Sequence, residues 1–313
     1  MSSSAPPRDL YAKITAEIIA VIEADSREPV LPWRRVGLAL PANAATGNVY
    51  HGINVLALWV AAQKAGFSRP LWATYQQWTA LGAQVRRGEK SSLVIFYKEY
   101  PSSDDKDEEG AVRRVARTSH VFNCAQVEGF AEPASDEVAA PIAPVERLRK
   151  VELFVAATRA VVRHGGDTAF YNRRSDFIQL PPPEHFVPTV TMAATEGYYA
   201  TLLHELVHWS GAPYRLDRQF GKRFGDEAYA AEELVAEIGA AFLCAELAVT
   251  PSTRRDHAHY VGHWLRLLRR DSRAIFTAAS RASEAASYLT KLGDQPHAVS
   301  KSGSSLSIAA RLA

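Results

Sequence analysis

His204-Glu205-Leu206-Val207-His208 carries the most specific chemical signal in the chain. On a helix, residues four apart lie on one face, so the two imidazoles can converge on one ion while Glu205 points beside it. A catalytic zinc ordinarily takes three protein ligands and leaves a fourth position for water, and the third ligand is commonly a carboxylate from a following helix. The segment Tyr229 to Leu247 supplies Glu232, Glu233 and Glu237. Glu233 and Glu237 share a face and either can reach the metal. We take Glu233 as the ligand and Glu237 as the acceptor that orients a ligating histidine, with Glu232 as a further alternative ligand. A site of this kind, holding one Zn2+ per chain, points to amide hydrolysis with Glu205 as the general base. The rival reading is a pure binding protein with a structural zinc. Glu205 separates the two, because a structural site needs no base beside the metal.

The elements that must position these residues are legible around them. Leu202, Leu203, Leu206 and Val207 give the motif helix a buried side, and Gly211 with Pro213 ends it. Helices are expected over about 195–210, 229–247 and 253–269, with a small last one near 280–292. In the second helix Ala236, Gly239 and Ala240 are small enough to allow close packing on the first. A long helix is expected from Val145 through Gly166, and Asp176 to Leu180 reads as a short strand, either a core strand or an edge that aligns an extended peptide. His259 and His263 form a second pair four apart with no acidic partner in sequence, and are read as packing or surface. His51, His164 and His185 have no motif around them.

The first half reads differently. Leu10, Ile14, Ile18, Val21 and Ile22 mark an amphipathic helix, and a second runs from Ile53 to a stop at Gly66. A shorter helix is expected over about 74–81. Ser92 to Tyr100 and Val112 to Phe122 read as a hairpin with an acidic loop. Between Arg27 and Lys98 there are nine Lys/Arg against two acids, a formal excess of seven positive charges, and nine aromatics that include Trp33, Trp59, Trp72 and Trp78. Basic groups interleaved with rings suit single-stranded nucleic acid, with Arg86, Arg87 and Lys90 the densest cluster. The alternative is that the tryptophans are core and the charges a solvated face. The whole chain, 313 residues at a formal net charge of +2, hides this window.

Composition removes other classes. Two cysteines in a chain this long argue against a disulfide framework, and no apolar run approaches a membrane span, so we expect a cytoplasmic protein without a membrane partner. Residues 132–144 turn to Ala, Pro and Glu, which divides the chain into a domain over 1–130, a linker over 131–147, a second domain over 148–298 and a flexible tail over 299–313.

Several long strings match one family in order. In the first half they are Pro32-Trp33, Asn43 through Gly47-Asn48-Val49-Tyr50-His51-Gly52-Ile53-Asn54, Trp72-Ala73-Thr74-Tyr75-Gln76-Gln77 and Gly82 through Lys90. In the second they are Tyr198 through Gly211 and Tyr229 through Glu237. The chain resembles the ArdC-type antirestriction proteins of conjugative plasmids over nearly all of residues 8–295. The resemblance implies an α+β protein of two domains: an N-terminal α+β single-stranded-DNA-binding domain, also found in TraC-type primases, and a mainly helical zincin-like metallopeptidase domain. It implies protection of incoming plasmid DNA from restriction during conjugation, and DNA-bound proteins such as restriction enzymes are candidate protein partners. Candidate DNA contacts are Trp33, Arg34, Tyr50, Asn54, Trp72, Arg86, Arg87 and Lys90. His51 departs from the pattern, which leads one to expect a more basic residue there.

Overall fold

The apolar spacing of Leu10, Ile14 and Ile18 forms helix α1 (Pro7–Ile22), and its buried side sets how the halves of the molecule meet. The computed structural model describes residues 7–24, 31–33, 39–101, 112–130, 144–188, 193–221, 227–249 and 258–293. The acidic loop of the expected hairpin, the start of the expected linker and the expected tail lie outside them.

In the first half, β1 (Ala42–Asn43) pairs parallel with β2 (Leu71–Thr74), which runs antiparallel to β5 (Val112–Asn123), itself antiparallel to β4 (Ser92–Pro101). Helix α2 (Ile53–Ala65) ends at Gly66, whose φ of 70° is a left-handed cap that costs a glycine nothing. Helix α3 (Tyr75–Ala80) starts on a reciprocal cap: Gln77 donates its backbone N–H to Thr74 Oγ1, and Thr74 N–H donates to Gln77 Oε1. The short strands β3 (Gln84–Val85) and β6 (Val127–Glu128) form a separate antiparallel pair.

The second half opens with α4 (Pro144–Thr158), which reaches back into the end of the expected linker. The expected long helix from Val145 to Gly166 is not continuous. Arg159 takes a φ of 58°, a left-handed position that stops α4, and the β-branched pair that follows forms β7 (Val161–His164). A three-stranded sheet of order β7-β9-β8 results, with β8 (Phe170–Asn172) and β9 (Phe177–Leu180). Strand β9 is therefore central, paired parallel to β7 and antiparallel to β8, which excludes it as the peptide-aligning edge. Four helices follow: α5 (Ala194–Ser210), α6 (Ala228–Leu247), α7 (Ala258–Arg270) and α8 (Ala274–Gly293). The last is a full-length helix rather than the small one expected.

One apolar cluster runs through both halves, from Ile14 and Trp59 to Phe242 and Leu289. Helix α8 sits within it, packed against α2, α4, α5, α6 and α7. Its buried Ala278, Ala279, Ala282, Ala285 and Ala286 let those neighbours approach closely. Polar ties cross the same boundary, with Thr15 Oγ1 donating to the Ser272 carbonyl at 2.7 Å and Gly52 N–H to Ser283 Oγ at 2.8 Å.

Candidate metal centre

Helix α5 buries Leu202, Leu203, Leu206 and Val207, and this orientation turns His204 and His208 toward α6. The helices cross where Gly239 meets Val207: a Cβ on Gly239 would stand 2.9 Å from Val207 Cγ2. That close approach delivers Glu233 to the histidines. The two Nε2 atoms are 3.2 Å apart, and the Glu233 oxygens lie 3.6 Å from His204 Nε2 and 3.4 Å from His208 Nε2. Donors about 2.1 Å from a tetrahedral zinc would stand about 3.4 Å from one another. The three side chains thus match the spacing of a shared ion, and His204, His208 and Glu233 form the one such group among the described residues.

Behind each imidazole stands another carboxylate. Glu237 Oε1 is 3.3 Å from His204 Nδ1, and Glu232 Oε1 is 3.1 Å from His208 Nδ1. Glu232 is in turn gripped by Arg218, whose Nη2 and Nε donate to its two oxygens at 2.6 and 2.8 Å. Arg218 also donates to the Val207 carbonyl at 2.7 Å and to Ser210 Oγ at 3.2 Å. Gly211 is required by this arrangement, since a Cβ there would lie 2.7 Å from Arg218 Nη2. Sequence reading missed Arg218 entirely, because nothing in the spacing of Tyr214-Arg215-Leu216-Asp217-Arg218 links it to a helix that follows.

The electrostatics favour a cation. Burial alone would depress His208, but hydrogen bonds to Glu232 and Glu233 and their charges overcome it and raise the imidazole to about 10. His204 is likewise raised against its burial by Glu233 and Glu237. Burial would raise the Glu233 carboxyl, yet the two histidines hold it far below the usual range. A field that retains a proton on His208 would equally retain a divalent cation in exchange for protons.

A cleft of about 350 Å³ opens onto His204, Glu205, His208 and Glu233, with Phe170, Tyr171 and Tyr229 among its walls. Strand β8 forms one rim as an edge of its sheet. The turn between β8 and β9 is anchored to α5 by Arg215, whose Cζ lies 3.4 Å from the centroid of the Trp209 ring and which pairs with both oxygens of Asp176 at 2.9 and 2.7 Å. Opposite it, the Tyr229 hydroxyl lies 3.2 Å from that of Tyr260.

Comparison with known proteins fits this geometry. Residues 149–281 match the zincin-like metallopeptidase family and residues 8–123 match the N-terminal domain of anti-restriction factor ArdC. The metal-free crystal structure of the antirestriction protein ArdC from plasmid R388 is 37% identical, with a TM-score of 0.74 over 91% of this chain and 98% of that one. The chain belongs to the ArdC antirestriction family. The Mn(II)-bound R388 structure is 38% identical with a TM-score of 0.73, over 92% of this chain and 99% of that one. An uncharacterised protein of Sinorhizobium fredii, y4eC, is 42% identical over 90% of this chain and 92% of its own length. A DNA primase TraC of Escherichia coli is 35% identical over 88% of this chain, which spans only 26% of that primase. The α+β, two-domain architecture is that of the family.

In this ArdC-family chain four of the eight residues expected to touch DNA are interior. Trp33 and Trp72 are each 1% exposed, and Trp72 packs edge-on against Phe67 at 5.9 Å. Neither ring can stack on a base. Asn54 is buried and pairs with the Ile95 backbone on β4, donating to its carbonyl and accepting its N–H, both at 2.8 Å. Tyr50 is buried, its hydroxyl raised by that burial against a hydrogen bond from Asn43. The aromatic content of the basic window is thus largely core. Arg34 lies outside the described residues. Arg86, Arg87 and Lys90 are exposed between β3 and β4, and Arg86 is held by Glu89 at 2.7 Å and by the Ala125 carbonyl at 2.6 Å. Among the described residues no helix is long and apolar enough to cross a membrane.

Proposed function

We propose that this chain is an antirestriction protein that binds single-stranded DNA and hydrolyses peptide bonds at a zinc site in its second half, protecting incoming plasmid DNA during conjugation. The observation that carries the enzymatic part is the open cleft in front of three converging donors with buried Glu205 at its edge. A structural zinc is enclosed by four protein ligands, whereas His204, His208 and Glu233 would leave a position toward the cleft. When bound there, the metal supplies a Lewis acid that polarises a carbonyl and acidifies water.

The chain's own residues do the rest. Glu205 accepts the water proton and returns it to the leaving amine. Glu237 and Glu232 stand beside Nδ1 of His204 and His208, where they would accept the Nδ1 protons and so leave each Nε2 lone pair for the metal. Arg218 keeps Glu232 ionised and in place. Strand β8, an edge of its sheet among the described residues, offers main-chain groups along which an extended substrate can align. Arg86, Arg87 and Lys90 are exposed and suited to phosphate contacts, and the cytoplasm is where incoming DNA would be met.

The test compares Glu205→Ala with the unmodified chain, both at full metal occupancy, for cleavage of DNA-bound proteins such as restriction enzymes and for survival of plasmid DNA challenged with those enzymes. Loss of both activities is expected. Equal DNA protection by the two proteins would separate peptide hydrolysis from antirestriction. Metal analysis of Glu233→Ala and Glu237→Ala tests the ligand assignment, since loss of metal only in the Glu237 variant would reverse it.

A further inference from the structure

A second cleft, of about 1120 Å³, lies between the first half and α8 and shares no lining residue with the cleft at the metal centre. Asn43, His51, Gln77 and the ring of Phe96 contribute to its first-half wall, and Phe96 is 47% exposed. Asn43 shapes this wall: its Oδ1 accepts the N–H groups of Ala45 and Thr46, and its Nδ2 donates to Gln77 Oε1 at 3.1 Å. The opposite wall is one stripe of α8 and the residue before it: Arg273, Phe276, Thr277, Ser280 and Ser283, at three- and four-residue spacing, with Arg281 beside them. Among the described residues lining the cleft there are two arginines and no carboxylate.

We propose that this cleft is the single-strand path, and that Arg273 and Arg281 of the metallopeptidase half bind the sugar-phosphate backbone while Phe96 takes a base. The assignment rests on the single-stranded-DNA reading above and adds to it a second wall that the N-terminal domain does not contain. Three features of the cleft suit this ligand. Arg273 Cζ lies over the Tyr11 ring, 4.9 Å from its centroid, a cation–π contact that holds the guanidinium at the cleft and is compatible with its N–H groups meeting an anion. Arg281 pairs with Glu284 at 2.7 Å, but both side chains are nearly half-exposed, so this ion pair is weak and exchangeable for a phosphate. The two arginines are separated by about 12 Å of helix axis, enough to engage different phosphates of one strand. The walls are also joined: Gly52 N–H donates to Ser283 Oγ at 2.8 Å. Amides, a ring and two guanidinium groups, one of them held only by an exposed ion pair, match a flexible polyanion with exposed bases.

The experiment measures binding of fluorescein-labelled oligo-dT to the full chain by anisotropy, across a salt series. Arg273→Gln/Arg281→Gln should weaken binding by about tenfold and flatten the log K against log salt slope by about 1.4, the value for two lost phosphate contacts on a single strand. A charge-matched control, Arg266→Gln/Arg270→Gln on α7, should leave the slope unchanged. Ser280→Glu, an exposed change that places a carboxylate in the cleft, should weaken binding while preserving metal content and the unfolding midpoint. Wild-type affinity and slope in both the double-arginine and the Ser280→Glu variants would overturn the assignment alone. Absence of oligo-dT binding by the unmodified chain would overturn the single-strand reading and the assignment with it.

Discussion

Replacing Gly239 by alanine tests whether the spacing of α5 and α6 is what builds the metal centre. The new Cβ would stand 2.9 and 3.0 Å from the two methyl carbons of Val207, which is fully buried. Carbon atoms pack best at about 3.5 to 4.0 Å, so either the helices part by roughly half an ångström or Val207 leaves its rotamer. The second route is stiff, because a β-branched side chain in a helix has one strongly preferred χ1. Overpacking of this kind costs about 1 to 3 kcal/mol, while alanine gains about 1 kcal/mol over glycine in helix propensity. The net expectation is a loss of about 1 kcal/mol, with weaker metal binding, since Val207 precedes His208 and Gly239 shares a helix with Glu233. In a Val207→Ala background the clash is gone, and the same Gly239→Ala change should stabilise by about 1 kcal/mol. Urea denaturation of the four proteins of this cycle, with metal titration of each, reads both effects. A Gly239→Ala effect of the same sign and size in both backgrounds would refute the reasoning.

Two further outcomes follow from the Arg218 network. Arg218→Met removes the partner of a part-buried carboxylate, so stability should fall by about 3 to 5 kcal/mol and metal affinity by roughly 10- to 100-fold; calorimetric titration showing unchanged affinity would dismiss Arg218 as a positioning residue. The second concerns acid. Burial would raise the Glu232 carboxyl, but hydrogen bonds from Arg218 and His208 prevail and hold it at about 2, below its ordinary 4.5. A depressed carboxyl contributes stability that is present above 4.5 and lost as pH falls through 2. Denaturation midpoints should therefore drop across that window in the unmodified chain and drop less in Arg218→Met, and parallel acid limbs would contradict the assignment.

Local periodicity made much of this molecule readable. The helices α1, α2, α5 and α6 follow from apolar spacing, and the choice of Glu233 and Glu237 came from the same four-residue geometry that brings His204 and His208 together. What sequence did not disclose depends on contacts across long separations. Arg218 meets Glu232 only after a loop folds back on α5, and α8 meets the Asn43–Asn54 loop across more than two hundred residues. The tryptophans show the other limit, because a ring near basic residues reads as a stacking platform until its burial is known. The strand at Val161 was lost for a local reason: Arg159 stops α4 in a left-handed conformation that few non-glycine residues adopt.

The apolar cluster that α8 shares with α1 and α2 also sets an order of events in time. During synthesis at about 5 to 20 residues per second, α1 emerges some tens of seconds before α8. Thr15 and its partner Ser272 are 257 residues apart in sequence. Until α6 arrives Trp59 lacks Phe242, whose ring centroid stands 5.7 Å from its own, and until α8 arrives Tyr11 lacks Phe276; closure of such distant contacts is intrinsically slow. The cleft proposed for single-stranded DNA is therefore completed only once α8 has been synthesised.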